Sequence, residues 1–585
     1  MLMQLKIVPL VIFLLFTSSY PQKIQSINVL GNKVFSEKEI INWSGLIPQT
    51  ELKQNFLDSA LAKISYKLSS NGYFHSNFDG CSVDYNQDSS LAYLKLFVDE
   101  GEPTYIKSIN IISDSTHEII SDFDYLEGRI FNKAEIEEII EQLLRKYENT
   151  GYPFAKVKLT SANFFEDSLN SDYQVNLSIK IEKGVKGTID KIEIIGNDKT
   201  NADVIIRELR IKLGGEYSQR AIEELPSKLN RLRFFEPVSM PQFYIDSDNK
   251  GTLLIEVKEK QTNNFDGIIG YLPANRADES GYVTGLINVS LRNIFGTGRS
   301  TLIRWQKLDR NSQELELKYL EPWFFNFPFN IIVGFNQRKQ DTIYVQRKFE
   351  ASVEYLATET ISASLSLSTE AIIPTESTGN IFKVFNSNSL TTGVALKIDS
   401  RDDPYAPTEG IMFNNSYSYS RKRIYGPQQF ILPDAKTKIN LQRISVEFGF
   451  FYSFFTRQVA ALKVNWRELQ GSFFEISDLF RLGGTNSLRG YREDQFLGSR
   501  IFWSNLEYRL LLAKRSYVFL FFDTGYYLVN EDPSAKLARQ EAFNIGYGLG
   551  LNVETALGVI GVSFALAKGD SFSDGKIHFG LVSEF

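Results

Sequence analysis

The sequence predicts a multidomain protein in which three tandem α+β domains precede a transmembrane antiparallel β-barrel of about 16 strands. Three observations support this architecture. The chain of 585 residues is too long for a single hydrophobic core. Its first half repeats one unit three times. Its second half has no helical periodicity and instead alternates apolar with polar residues.

Composition and charge exclude several classes of function. The 64 basic and 70 acidic residues are well mixed, without the basic stripe that is typical of a nucleic-acid binder. Cys81 is the single cysteine and the three histidines are far apart in sequence, so a disulfide or a metal site built on thiolate or imidazole is not expected. We therefore expect no nucleic-acid partner, no cofactor and no metal.

The first residues have the pattern of a cleaved secretory signal peptide, predicted over 1–19. Lys6 precedes the apolar run from Ile7 to Phe16, and small residues follow at 17–19. This run is too short for a membrane helix, which needs about 20 apolar residues, and no later stretch approaches that length. An exported chain of this kind is periplasmic, secreted or an outer-membrane β-barrel.

The region that follows contains one module three times. Its opening strand carries Ile27, Ile109 and Ile192 at equivalent positions, 82 and then 83 residues apart. Two helices and two further strands follow in each copy, which predicts the order β-α-α-β-β. The predicted domain boundaries are 23–102, 103–185 and 186–260.

The second helix of each module is the longer one and is amphipathic. Apolar residues recur at spacings of three and four in 57–68, in 136–147 and, more weakly, in 222–232. Two helix starts have the spacing of a capping box: Ser36 with Glu39, and Asn132 with Glu135. One face of each long helix is therefore expected to pack against the sheet.

The module resembles the polypeptide-transport-associated (POTRA) domain. Three such domains after a signal peptide resemble the periplasmic arm of outer-membrane assembly factors, whereas a tandem of generic α+β domains is the alternative. A three-stranded sheet covered on one side leaves an edge strand, and its free N–H and C=O groups can pair with an extended chain. A row of such edges is a plausible path for unfolded polypeptides.

The second half, predicted as a barrel over 261–585, alternates with a period of two. At about 20 residues per strand and connection, its length suits about 16 strands. The clearest strand has an apolar face and a hydroxyl face, with Ile361, Ala363, Leu365 and Leu367 alternating with Ser362, Ser364, Ser366 and Ser368. A soluble sandwich would alternate too. Closing the sheet removes the exposed edges that hydrocarbon does not tolerate.

Aromatic residues crowd the expected strand ends. Such residues form girdles at the two membrane interfaces of outer-membrane barrels. The residues expected there are Tyr319, Trp323, Phe324 and Phe325 in one group, and Phe519, Phe521 and Phe522 in another.

The last strand, expected over 577–585, resembles the carboxyl-terminal signal of bacterial outer-membrane barrels. In that signal a polar residue and then a glycine precede a terminal aromatic residue, and His578, Gly580 and Phe585 match it. Ser583 departs from it, because a hydrophobic residue is usual at that position. A charge at Leu581 is expected to impair insertion if this side chain faces lipid.

Four motifs then follow in the order typical of the BamA/TamA family of outer-membrane assembly factors, which the chain resembles over essentially its whole mature length. They are Asn293–Gly298, Tyr319–Trp323, the segment 399–410 and Leu482–Tyr491. The last resembles the tip of the loop that folds back into the lumen of these barrels, and its motif residues are Gly483, Gly484, Leu488, Arg489, Gly490 and Tyr491.

Asp523 lies thirty-four residues after Arg489 and resembles the acidic partner of the loop arginine in this family. A guanidinium confined in a narrow lumen is costly unless it is paired, and a carboxylate can accept from it in bidentate fashion. The resemblance therefore implies an ion pair that holds the loop against the barrel wall. An exposed arginine without a fixed partner is the alternative.

The resemblance implies a function in which POTRA domains receive unfolded clients and the barrel inserts other β-barrels through a seam between the first strand, 265–272, and the last. The implied partners are unfolded outer-membrane or secreted polypeptides, the lipid bilayer, and periplasmic or lipoprotein accessory subunits. A two-partner-secretion translocator and a TamA-like factor in lipid transport remain open. A barrel enzyme is not expected, because neither a Ser-His pair on a strand nor a G-x-S-x-G elbow is visible.

Overall fold

The computed structural model describes most of the chain after residue 21. Phe585 and Ser583 of the predicted terminal signal lie outside the described residues, as do the predicted signal peptide and the side chain of Leu581. The described ranges are 22–52, 55–113, 122–167, 172–272, 280–307, 309–340, 343–375, 384–404, 406–427, 431, 436–531, 539–555 and 558–582.

The first domain has the predicted order of elements: β1 (Lys23–Leu30), α1 (Glu37–Ser44), α2 (Phe56–Ser70), β2 (Asn77–Tyr85) and β3 (Leu91–Asp99). The last strand, β3, is central, parallel to β1 and antiparallel to β2. Ile64 and Leu68 of α2 are buried in the core that this sheet forms with the helices. The capping box forms in full, since Ser36 and Glu39 each accept from the other's backbone N–H.

The second domain comprises β4 (Thr104–Ser113), a 3-10 turn (Asp124–Leu126), α3 (Lys133–Glu148), β5 (Lys156–Glu166) and β6 (Tyr173–Glu182). Its sheet has the order β4-β6-β5. The second predicted capping box is only half formed. Asn132 accepts from the N–H of Glu135, but the Glu135 carboxylate pairs with Arg129 at 2.7 Å.

The third domain comprises β7 (Thr188–Ile189), β8 (Lys191–Ile195), α4 (Ala202–Leu209), β9 (Gly215–Glu216), α5 (Gln219–Glu223), α6 (Leu225–Leu232), β10 (Gln242–Ile245) and β11 (Gly251–Glu256). The prediction of a single long helix near 222–232 is therefore wrong. This segment is divided into α5 and α6, and Pro226 occupies the first turn of α6. Proline is tolerated in the first turn because the N–H groups there have no acceptor within the helix. In a helix interior, the missing N–H would cost a hydrogen bond.

The barrel domain contains one antiparallel sheet of sixteen strands, which confirms the predicted fold class. Each strand pairs with its neighbour in sequence, except that β22 pairs with β25 across an inserted two-stranded hairpin. The strands are β12 (Asn264–Leu272), β13 (Tyr282–Ile294), β14 (Arg299–Lys307), β15 (Gln313–Glu321), β16 (Phe329–Gln340), β17 (Tyr344–Leu356), β18 (Ile361–Pro374), β19 (Asn386–Asp399), β20 (Gly410–Gly426), β21 (Lys438–Phe455), β22 (Gln458–Gly471), β25 (Arg500–Ala513), β26 (Ser516–Val529), β27 (Gln540–Thr555), β28 (Gly558–Ala567) and β29 (Lys576–Val582). The hairpin consists of β23 (Phe480–Leu482) and β24 (Phe496–Gly498).

The two faces of the barrel strands differ as the alternation predicts. On β18, Leu365 and Leu367 are exposed on the outer face, whereas Ser362 and Ser368 are buried on the inner face. An apolar outer face is the requirement for a strand in hydrocarbon. None of the helices among the described residues is long and apolar enough to cross a membrane.

Three of the predicted girdle positions are wrong. Phe519 and Phe521 lie on the inner face of β26, with only 7% and 5% of their surface exposed, while Phe522 on the outer face is 45% exposed. The period of two explains the difference, because adjacent residues of one strand, such as Phe521 and Phe522, point to opposite faces. Trp323 is also buried, in a contact described below.

Candidate functional site

The connection between β22 and β25, residues 472–499, is the candidate functional site. Successive barrel strands run in opposite directions, so their connections alternate between the two ends of the barrel. The third α+β domain contacts the connections after β13, β15 and β17, which defines the end of the barrel that the resemblance places in the periplasm. The connection after β22 therefore starts at the opposite, outer end, and we refer to it as the lumen loop.

The tip of the lumen loop needs glycine at three of its motif positions. Gly483, Gly484 and Gly490 have φ angles of 122°, 95° and 93°, in the left-handed region that side chains disfavour. A Cβ atom on Gly483 would also lie 2.6 Å from the carbonyl oxygen of Arg492. The loop could not turn as sharply with larger residues.

The structure brings Arg489 and Asp523 together in the lumen. Arg489 Nε and Nη2 lie 2.8 Å from Asp523 Oδ2 and Oδ1, respectively, and the Arg489 backbone N–H donates to Oδ2 at 3.1 Å. The Asp523 side chain has no exposed surface. The bidentate geometry fixes both the position and the orientation of the guanidinium.

Arg489 has a second acidic partner that the sequence reasoning missed. Its Nη1 lies 2.8 Å from Glu507 Oε1, while the other oxygen of Glu507 is 2.8 Å from Arg509. The guanidinium also stacks on the Phe521 ring, 3.8 Å from its centroid. Alternation on β25 was the available signal, because Glu507 and Arg509 are polar positions between apolar ones.

Apolar packing holds the same loop. Leu482 and Leu488 are fully buried with Ile501 and Trp503 of β25. A Cβ atom on Gly525 would lie 2.8 Å from a methyl group of Leu488, so this strand position must be small. The loop is therefore held by packing as well as by charge.

Glycines on two further strands allow the loop backbone to lie directly on the barrel wall. A Cβ atom on Gly546 of β27 would overlap the carbonyl oxygen of Arg489. One on Gly580 of β29 would lie 3.0 Å from a methyl carbon of Thr485. Gly580, predicted as part of the terminal signal, thus contacts the loop motif.

His578 connects the last strand to the tip of the loop. Its Nε2 accepts a hydrogen bond from the Gly490 backbone N–H at 3.0 Å, and its Nδ1 lies 3.5 Å from Thr485 Oγ1. Tyr491 Oη donates to the carbonyl oxygen of Ile545 in β27 at 3.2 Å. The loop motif is bonded to β26, β27 and β29.

The base of the loop is anchored by a buried ionic cluster that the sequence reasoning also missed. Lys422 of β20 pairs with Glu475, and its ammonium lies 2.7 Å from Asp478. All three side chains are almost fully buried. Breaking such a buried group is costly, so the base of the loop is held to β20.

The segment 399–410 enters the lumen from the periplasmic end. Arg401 makes two contacts of 2.8 Å with Asp399 and donates to the carbonyl oxygen of Pro404. Ala406 is buried against Phe519 and Phe521. The two aromatic side chains thus pack beneath both lumen segments, which explains their inward orientation.

The third α+β domain is docked on the barrel connections at this end. Trp323 Nε1 donates to Glu208 of α4 at 2.6 Å, and Lys228 of α6 lies 2.7 Å from Glu359. Arg207 donates to the carbonyl oxygen of Thr297 at 3.1 Å. The motifs Asn293–Gly298 and Tyr319–Trp323 therefore supply contacts for this domain.

The pKa values of the two carboxyl groups in this contact, Glu208 and Glu359, are shifted in opposite directions. Burial raises the pKa of Glu208, although the Trp323 hydrogen bond opposes the rise. Burial would also raise the pKa of Glu359, but the Lys228 ammonium outweighs it and the pKa lies below its usual value.

Among the described residues, no group of acidic, histidine or cysteine side chains is placed to hold a metal ion.

The barrel matches a family model described as "Omp85 superfamily domain" over residues 293–585. The chain belongs to the Omp85 superfamily. A POTRA model, described as "Surface antigen variable number repeat", matches residues 22–101, 104–184 and 187–260. The chain is thus an outer-membrane barrel protein with periplasmic POTRA domains, in agreement with the prediction that it is not an enzyme.

Curated relatives of this Omp85 chain include three proteins with the name "Outer membrane protein assembly factor BamA". Identity is 21% with that of Neisseria meningitidis, over 59% of this chain and 43% of the relative. It is 22% with that of Nitratidesulfovibrio vulgaris, over 95% and 72%, and 23% with that of Neorickettsia risticii, over 97% and 78%. The chain therefore spans less than half of the first of these relatives.

Two solved structures illustrate the structural similarity. BamA from Haemophilus ducreyi lacking POTRA domains 1–3 has a TM-score of 0.48 at 18% identity, over 81% of this chain and 98% of that one. CdiB from Acinetobacter baumannii has a TM-score of 0.46 at 15% identity, over 81% and 89%.

Proposed function

We propose that this Omp85 chain is an assembly factor that inserts β-barrel polypeptides into the outer membrane. Its POTRA domains receive unfolded clients, and its barrel inserts them through a seam between β12 and β29, the two ends of the sheet. The observation that carries the proposal is the lumen loop, which is hydrogen-bonded to His578 of β29 and packs closely against Gly580 of the same strand. The curated relatives that bear the name of assembly factors support it.

The loop gives the two ends of the sheet different environments. His578 holds β29 from the inside, at the same motif whose Arg489 is paired with Asp523. The strand β12 lies at the other end of the sheet, with Phe265 and Ile269 exposed on its outer face. A client strand would add to a sheet end by backbone pairing, as extended chains do at exposed edges.

The POTRA sheets offer outer strands for the preceding step. In the second domain β5 is an outer strand of its sheet, and Leu159 and Phe165 on it are exposed. An extended client could pair with the backbone of such a strand while its apolar side chains cover these residues.

Depletion in the native bacterium tests the function. Loss of an assembly factor should lower several unrelated outer-membrane barrels together, and the purified full chain in liposomes should speed the insertion of an unfolded barrel. If the chain were a translocator, its depletion would instead lower the amount of one exported polypeptide in the medium. If it were a lipid-transport factor, its depletion would change the lipid composition of the outer membrane while the levels of barrel proteins stay normal. Either of those results would overturn the proposal.

Cross-linking tests the seam. In a Cys81→Ser background, Ile269→Cys and Phe579→Cys together, joined by a flexible bismaleimide, should abolish client insertion, because β12 and β29 could no longer separate. Each single cysteine treated with the same reagent is the control. Full insertion by the doubly cross-linked chain would refute the seam while leaving the assembly function open to the depletion test.

A further inference from the structure

A cavity of about 350 Å3 lies in the barrel lumen between the tip of the lumen loop and the segment 399–410. Thr485 and Asn486 line it from the loop, and Pro404 and Pro407 from the periplasmic segment. The neighbouring inner faces of the barrel strands complete its wall. The volume is sufficient for a small ligand together with several water molecules.

The cavity has an excess of positive charge. Its lining contains two carboxylates, Glu447 and Glu507, and five cations, namely Arg401, Lys463, Arg467, Arg489 and Arg509. The four arginines are paired, with Asp399, Glu447, Asp523 and Glu507 as partners. Within the described part of the chain, Lys463 has no carboxylate at salt-bridge distance.

Two buried donors that line the same cavity also have no acceptor among the described residues. Arg467 Nε and Trp503 Nε1 are buried without a hydrogen-bond partner among the described residues. Leaving a buried donor without an acceptor is unfavourable, so an acceptor is favoured at this place.

The strand register places the three donors on one inner face, along the wall of the cavity. Lys463, Asn465 and Arg467 are alternate residues of β22 and share its inner face. Trp503 of β25 is directly opposite Asn465 and therefore diagonal to both cations. Diagonal neighbours on one face are about 7–8 Å apart, a distance that long side chains can span together.

We propose that this part of the lumen, formed by Lys463, Arg467 and Trp503, is a binding site for a small oxyanion of the phosphate type. A tetrahedral oxyanion presents several acceptors at once and supplies the negative charge that Lys463 lacks. His578 and Gly580 of β29 line the same cavity as Thr485, so a bound oxyanion lies between the loop and the last strand. The ligand would thereby stabilise the loop in its position.

Thermal unfolding of the detergent-solubilised full chain tests the site. A ligand that binds the folded state alone raises the unfolding midpoint with its concentration. We expect inorganic phosphate to raise the midpoint above that in sodium chloride of equal ionic strength. Lys463→Gln should weaken phosphate binding by about tenfold or more, because the charge-assisted contact is lost. Trp503→Phe, which removes the N–H donor and makes the aromatic side chain smaller, should weaken it less.

Lys318→Gln is the matched control, because Lys318 lies on β15, pairs with Glu316 and does not line the cavity. Broadening of the phosphorus NMR signal of phosphate by the unmodified protein, and its reversal by sulfate, gives a measurement that needs no variant. Equal midpoints in phosphate and chloride, no broadening, or equal phosphate binding by Lys463→Gln and Lys318→Gln would each overturn the proposal.

Discussion

At the scale of single residues, Arg489 determines how the lumen loop is held. Its guanidinium contacts two carboxylates, Asp523 and Glu507, and one aromatic ring. The loop arginine is therefore part of a network rather than of a simple pair. Changes of one member leave the others buried, so their effects are not additive.

We expect Arg489→Met to lower the free energy of unfolding by about 3–5 kcal/mol, because Asp523 is then buried without its cation. Asp523→Asn should cost less, since Arg489 retains Glu507. The double variant should lose less than the sum of the two single losses. Urea unfolding of the folded barrel measures these values.

The control for this series is Arg539→Met, whose partner Glu541 and the arginine itself are both largely exposed. An exposed pair contributes only about 0–1 kcal/mol. Losses at Arg489 and Asp523 that simply add, or that are no larger than the loss at Arg539, would contradict a network in the lumen.

Gly546 provides a second prediction at this scale. Gly546→Ala places a methyl group where the carbonyl oxygen of Arg489 lies, so the loop must move away from β27. We expect a lower thermal midpoint and faster proteolysis of the loop. Gly334→Ala is the matched control, because its Cβ atom would be 3.8 Å from the nearest heavy atom. Similar behaviour of the two variants would show that the loop does not rest on Gly546.

At the scale of elements, the helices of the third POTRA domain dock on barrel connections through Glu208 and Glu359. A carboxyl whose pKa is raised in the docked state takes up a proton more readily there than when exposed, so docking gains free energy as the pH falls through that raised pKa. Glu359, whose pKa is lowered, has the opposite effect: its contribution is present above its usual value of 4.5 and is lost at lower pH.

The variant Glu208→Gln separates the two effects, because it mimics the protonated side chain. We expect the variant to be more stable than the unmodified chain at neutral pH, and this difference to shrink as the pH falls. Unfolding midpoints of both proteins across that range measure it. Glu256→Gln, at an exposed position of β11, is the control. A difference that is independent of pH would refute the role of Glu208.

At the scale of the whole molecule, the chain forms two compact units, and the first two POTRA domains belong entirely to one of them. Each of these domains has its own buried core. We expect the fragment 22–184 to fold alone and to unfold cooperatively on heating, as circular dichroism and amide NMR dispersion would show. A fragment without cooperative unfolding would mean that these cores depend on the rest of the chain.

The sequence by itself determined the architecture of this protein. Repeats at a spacing of 82 and 83 residues, helical periodicity and alternation predicted three β-α-α-β-β domains and a sheet of about 16 strands. These features depend on which face of a helix or strand is buried, and that is encoded locally. The loop motif with Arg489, its expected acidic partner Asp523, and His578 of the terminal signal were likewise visible in the sequence, although the contact of His578 with the loop was not.

Apart from the pair of Arg489 and Asp523, which the resemblance implied, only the tertiary structure decided which side chains meet. Glu507 beside Arg489, Lys422 beside Glu475, and the glycines beneath the loop are contacts between distant parts of the chain, and no local period encodes them. Trp323 was misplaced for the same reason, since an aromatic residue at a strand end can face either lipid or another domain. Such partners depend on strand register and on the path of a loop through the lumen, which are set when the whole sheet has formed.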